Sequence, residues 1–242
     1  MQVLEVTPVA GRQWIGNAWK MFVVHPGSWI ALLSAWAVLS LLLSLVPYVG
    51  REIVVMLQPA FFAGFVIAAR DQERGLPVTL SCLFAGFRFN GRALLILGAV
   101  ILLLRSLLLL LTGLVDFPDT PIGPNGLPDM LALFAQFDAT LWVVFLGTMA
   151  VTTLIDGALW FTVPLLALYP MRPDHAIRWS FYAFLGNFLP LLVFALCMVG
   201  LVVIGSIPLG LGMIIVVPLY ALAHYTSFRQ VFRDDFTTPA SN

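Results

Sequence analysis

The sequence predicts an all-α, polytopic membrane protein with six transmembrane helices arranged as three hairpins, and three observations carry that prediction. Of its 242 residues 61% are hydrophobic and 10% charged, proportions that suit a chain solvated by lipid rather than water. Six apolar runs are long enough to span a hydrocarbon layer, at roughly 27–46, 51–69, 93–115, 139–169, 187–205 and 209–228. Arginine and lysine gather on alternate connections between those runs. Helices are the required form: a closed barrel is the only other way to satisfy backbone groups in lipid, and unbroken runs such as Leu107 to Leu111 lack its alternation. The whole chain, residues 1–242, reads as one integral membrane domain.

Met1 to Gly11 lacks the basic start and short apolar core of a cleavable signal, so the first membrane helix is expected to stay in the mature protein. An amphipathic stretch follows. Trp14, Ile15, Ala18, Trp19, Phe22 and Val23 recur at helical spacing while Arg12, Gln13, Asn17 and Lys20 take the other face. That pattern predicts an interfacial helix anchored by Trp14, Trp19, Lys20 and Phe22. Pro26 and Pro47 bracket span one, and the Pro47-Tyr48-Val49-Gly50 turn leads into span two, where Ala60, Gly64 and Ala68 form a small-residue stripe suited to close helix packing. Leu80, Leu83, Phe84 and Phe87 repeat the amphipathic spacing ahead of span three. The longest connection, Asp116 to Asp138, is an external loop whose Met130, Leu133, Phe134 and Phe137 predict a short surface helix before span four. Ile177, Phe181 and Phe184 repeat the spacing more loosely ahead of span five, and Gly205-Ser206-Ile207-Pro208 turns into span six. Pro59, Pro164 and Pro218 stand in spans two, four and six, each about 11 residues before Arg70, His175 and Arg229. Three copies of one unit, a surface helix followed by a helical hairpin, would produce this spacing.

Orientation follows from charge. Arg12 and Lys20, then Arg70, Arg74, Arg88 and Arg92, then Arg172 and Arg178, then Arg229 and Arg233 all fall on one side under a six-span count, and the positive-inside rule makes that side, with both termini, cytoplasmic. The opposite loops carry only Arg51 among basic residues, and an odd number of spans would destroy the segregation.

Arg105 lies in the most hydrophobic run of the chain, and the next long apolar segment supplies Asp156. Counted from the flanking cytoplasmic signals, both sit about 20 Å deep. A charge at a helix centre costs roughly 2.5 to 3.5 kcal/mol, so two opposite ones at one level predict a pair facing the protein interior. Gly98, Arg105 and Thr112 share one stripe of span three, and Thr148, Thr152 and Asp156 share one of span four, so the hydroxyls of Thr112, Thr148 and Thr152 are candidate partners for the pair. Two roles are open to this polar centre: an ion pair fixing helix register, or a binding site for substrate or proton. The register reading is preferred.

Other chemistry has little to stand on. Cys82 and Cys197 give no disulfide or metal-ligand pattern, and His25, His175 and His224 are scattered, so neither metal nor cofactor is expected. No phosphate-cradling glycine loop, nucleophile elbow or zinc-protease histidine pair occurs, which disfavours an enzyme. Net charge is zero, with no basic domain for nucleic acid; the partners expected are membrane lipids and a membrane protein, with no oligomeric state implied.

Several stretches together resemble an uncharacterised family of bacterial six-span inner-membrane proteins. They are Gly11-Arg12-Gln13-Trp14 with Trp19, Phe22 and Pro26; Pro47-Tyr48-Val49-Gly50; Gln58-Pro59 with Ala63-Gly64; Leu83 to Phe87; Ser180-Phe181 with Asn187 and Pro190; and Pro218 with Tyr220, Tyr225 and Arg229 to Phe232. A more distant likeness is to the helical membrane domain preceding some glycerophosphodiester phosphodiesterases, whose catalytic domain these 242 residues do not hold. The resemblance implies six spans and an inner-membrane address, and it carries over no functional residue. The function expected is a non-catalytic membrane component that binds lipid or a partner protein. The alternatives are a small-solute transporter or channel using the Arg105 and Asp156 centre and, less favoured, an intramembrane enzyme.

Overall fold

The computed structural model describes residues 2–115, 118–123, 129–207 and 210–233; Met1, Asp116, Pro208 and Leu209, named above, lie outside them. The chain is helical almost throughout: α1 Ala10–Val24, α2 Pro26–Ser44, α3 Gly50–Glu73, a 3-10 turn Leu80–Phe84, α4 Ala85–Thr112, α5 Met130–Phe134, α6 Ala139–Leu159, α7 Thr162–Leu168, α8 Pro173–Gly186, α9 Phe188–Ser206 and α10 Met213–Val231. Two short strands, β1 Gln2–Val3 and β2 Phe232–Arg233, pair antiparallel and bring the two ends of the described chain together.

Among the described residues five segments are long and apolar enough to cross a membrane: Pro26–Ser44, Gly50–Glu73, Leu80–Thr112, Ala139–Leu168 and Phe188–Ser206. The sixth expected segment is present as α10, but the polar run His224 to Ser227 with Arg229 and Gln230 makes it less apolar than the others. It is instead enclosed by protein, buried on every side from Ala221 to Phe228. The expected span four is divided: α6 ends at Leu159 and α7 starts at Thr162, two residues before Pro164, whose missing N–H cannot continue the ladder.

Three backbone breaks share one geometry. His25 ends α1 at φ −139°, ψ 59°; Asn90 interrupts α4 at φ −144°, ψ 43°; Asn187 ends α8 at φ −122°, ψ 30°. Each stands where an amphipathic helix gives way to a long apolar one. The repeat read from the prolines therefore has a backbone counterpart, in units covering 10–73, 80–168 and 173–231.

These units interlock in a ring. The 3-10 turn and the start of α4 pack on α3, α8 packs on α6 and α7, and α1 closes the circle by packing on α10. Pro59 of α3, Pro164 of α7 and Pro218 of α10 are all buried, and these three helices meet one another at the centre. Glycine permits the closest approaches: a Cβ on Gly86 would overlap the carbonyl oxygen of Ala60, and one on Gly98 that of Met56. Two side-chain amides at the breaks fasten the chain: Asn187 ties the third unit to the segment ahead of the first, and Asn90 ties α4 to α7 of its own unit and to the connection that follows it. Asn187 accepts from Val6 N (2.9 Å) and donates to Leu4 O (3.1 Å), just ahead of α1, while Asn90 donates to Leu166 O and Met171 O (both 3.3 Å), just ahead of α8.

The ring places α1 differently from the sequence expectation. Trp14 and Phe22, read as anchors in lipid, are core residues: Trp14 is fully buried and its indole N–H donates to Gln230 Oε1 at 2.6 Å. Periodicity located the apolar face of α1 correctly, but that face is covered by α9 and α10 rather than by the bilayer. Trp19 and Lys20 do point outward. The expected surface helix of the long loop is α5, capped by Asp129, whose carboxylate accepts from Ala132 N at 3.0 Å.

Candidate functional site

Arg105 and Asp156 come together. Arg105 Nη2 stands 3.6 Å from Asp156 Oδ1, linking α4 to α6. Their surroundings differ from the expected interior. The two side chains are 49% and 59% exposed, no residue of α6 is buried, and Leu103, Leu107, Val143 and Leu154 nearby on the same helices are exposed as well. The pair therefore sits on an outer flank of the bundle, and the expectation that it faces inward is corrected. The cause lies in the ring, where α6 touches α8 and barely meets α4.

The threonines do not serve the pair as donors. Thr112 Oγ1 donates to Leu108 O (3.0 Å), and Thr152 Oγ1 donates to the carbonyl of Thr148, one turn back on its own helix. Thr148 is half-buried on the same face of α6.

A different polar cluster occupies the interior. His224 is buried and lies on the Trp160 ring with centroids 3.8 Å apart; its Nε2–H donates to the Trp160 carbonyl at 2.7 Å, leaving Nδ1 as a bare acceptor with no partner among the described residues. The Trp160 indole N–H donates to Ser227 Oγ at 3.2 Å, and Phe62 and Tyr220 close against the imidazole edge-on. Pro164 has no N–H to offer the Trp160 carbonyl four residues back, and His224 supplies the missing donor. Sequence reading left His224 as one of three scattered histidines, and the signal that would have found it was the polar run His224-Tyr225-Thr226-Ser227 within an apolar helix.

The end of the bundle that carries both termini is knitted by charged and amide groups. Glu73 accepts from Tyr225 Oη at 2.7 Å and pairs with Arg229. Gln72 accepts from Trp29 Nε1 and donates to Met21 O, both at 2.7 Å. Thr226 Oγ1 donates to Trp14 O at 3.0 Å. The last turn of α3 is thereby tied to α1, α2 and α10. Among the described residues no group of histidine, cysteine or carboxylate side chains has the arrangement of a metal site.

The chain is similar in part to a known protein. Over 91 residues, 38% of this chain, the sequence is 32% identical to a protein of Burkholderia thailandensis named as a probable inner membrane protein, of which the match covers 34%. The match thus spans about a third of that relative's length. No family model matches the chain, and no solved structure does. With five helices able to cross a bilayer, the chain is a multi-pass protein of the inner membrane, and its likeness to inner-membrane proteins of unknown function is borne out.

Proposed function

We propose that this chain is a non-catalytic, six-span component of the inner membrane that binds lipid or a partner protein, with three hairpins, cytoplasmic termini and its surface helices on the cytoplasmic side. Pairing of Gln2–Val3 with Phe232–Arg233 supports an even number of crossings, because two ends that share a strand ladder must share a side of the bilayer. The five apolar segments then require a sixth, and α10 supplies it: enclosed by protein, its polar residues are hydrogen-bonded rather than presented to lipid.

One observation carries the choice of function. The ion pair that a transporter would use lies on the outer flank, while α3, α7 and α10, the helices that meet at the centre, bury apolar residues such as Ala60, Leu165 and Leu222 completely. A transport or channel reading needs water at Arg105 and Asp156 from within the bundle. Labelling tests it: in a chain with Cys82 and Cys197 replaced by serine, a cysteine at position 156 should resist a membrane-impermeant thiol reagent from both sides. Modification of the folded protein from either side would reveal an aqueous path and overturn the proposal in favour of transport. Purification in native lipid should in turn retain a defined lipid or protein at fixed stoichiometry, and a chain that retains neither would sink the binding role.

A further inference from the structure

Two clefts open beside the surface helices, and the repeat relates them position by position. The first, about 480 Å³, lies between α1, α10 and the end of α3 and is lined by Asn17, Lys20, Glu73, Thr226, Arg229 and Gln230. The second, about 390 Å³, lies between α3 and the start of the next unit and is lined by Ile67, Arg70, Asp71, Cys82, Ala85 and Arg88. Thr226, Arg229 and Gln230 stand 8, 11 and 12 residues after Pro218; Ile67, Arg70 and Asp71 stand 8, 11 and 12 after Pro59. Asn17 and Lys20 precede the His25 break by 8 and 5 residues, as Cys82 and Ala85 precede the Asn90 break. The same pocket has been built twice.

The charge balance repeats as well, although the second cation stands at a different position in each cleft, Lys20 five residues before its break and Arg88 two before its own. Each cleft holds an arginine already held by a carboxylate, Arg229 by Glu73 and Arg70 by Asp71 (3.0 Å). Each also holds a second cation with no carboxylate partner among the described residues: Lys20 in the first, and Arg88, which donates to Ser81 O at 3.0 Å, in the second. One uncompensated positive charge per cleft suits one phosphodiester. The half-exposed rings of Trp19, next to Lys20, and Phe89, next to Arg88, suit the headgroup level of a bilayer, where aromatic side chains settle. At the third equivalent position the pattern lapses, since His175 replaces the arginine and Trp179 and Tyr182 replace the small or polar residues of the surface helix.

We propose that the two clefts are paired sites for the phosphodiester headgroup of an anionic glycerophospholipid of the cytoplasmic leaflet, held by Lys20 in one and Arg88 in the other. The inference rests on the lipid-binding role proposed above and gives it a site, a ligand class and a stoichiometry of two.

Native mass spectrometry of the full chain in mild detergent, with phosphatidylglycerol or phosphatidylcholine added, tests it. Wild type should hold two molecules of phosphatidylglycerol and discriminate against phosphatidylcholine; Lys20→Gln and Arg88→Gln should each weaken one site about fivefold, and the double variant both. Both side chains are exposed, so unchanged melting should accompany the loss. Tight lipid retention unaltered in the double variant would overturn the clefts while leaving the lipid-binding role standing, whereas failure to retain any lipid would remove both. Displacement of the bound lipid by free glycerol phosphate would overturn the lipid assignment in favour of a soluble phosphoester.

Discussion

At the scale of single residues, Arg105 and Asp156 hold opposite charges on a flank of the bundle where either alone would be costly to keep. Equal depth along two apolar runs brought Arg105 and Asp156 together on paper, and they stand 3.6 Å apart. Whether a helix face turns toward protein or lipid depends on which helix covers it, and an apolar stripe reads the same under either cover. That ambiguity also misplaced Trp14 and hid His224. On a lipid-exposed flank an unpaired charge costs roughly 2.5 to 3.5 kcal/mol. Arg105→Asp and Asp156→Arg should therefore each lower the thermal stability of the detergent-solubilised protein, and the exchanged double variant should regain most of the loss. Melting curves that are wild-type-like for both single variants would show that the pair has no register role. Asn187 offers a second check, for it bonds Val6 N, Leu4 O and Ala183 O in a buried setting. Asn187→Ala strands those backbone groups and should cost about 1 to 3 kcal/mol. Asn90→Ala, losing two bonds at 3.3 Å, should cost less, and the reverse ranking would contradict the fastening role assigned to Asn187.

At the scale of elements, the apolar runs located every long helix because a span of the bilayer sets its own length. Interruptions were less legible. The division of span four at Trp160 and Phe161 follows from Pro164, which the sequence shows, but the His224 contact that takes up the freed Trp160 carbonyl is tertiary and cannot be read from it. Close packing was legible as glycine but not as a partner: Gly98 was read on the stripe with Arg105, whereas its contact is the Met56 carbonyl across the α3 and α4 interface. Gly98→Val forces that backbone aside and should destabilise by about 1 to 3 kcal/mol. Gly147→Val on α6, where a Cβ meets nothing, should leave the melting temperature nearly unchanged apart from propensity. Equal losses at the two positions would refute the interface.

At the scale of the whole molecule, the proline spacing and the recurring amphipathic stretches hinted at three units but not at a ring; the shared break geometry at His25, Asn90 and Asn187 is invisible in residue types, since a histidine and two asparagines follow no common motif. A ring has a consequence that a linear string of hairpins lacks. Because β1 and β2 bring the ends of the described chain together, joining the termini through a linker would make that junction no more special than the connections between units. A circular permutant that joins the ends and reopens the chain between Gly75 and Val78, where the backbone leaves α3 for the 3-10 turn, cuts no helix. Its first unit would then be the second of the parent, and each surface helix would still find the preceding unit's second long helix. The permutant should insert, keep both new ends on the side of the old ones, and melt within a few degrees of the parent in detergent. Aggregation of the permutant, when a control with the same linker reopened in the 118–123 loop does fold, would mean that the order of units directs assembly, and the ring would then describe only the finished shape.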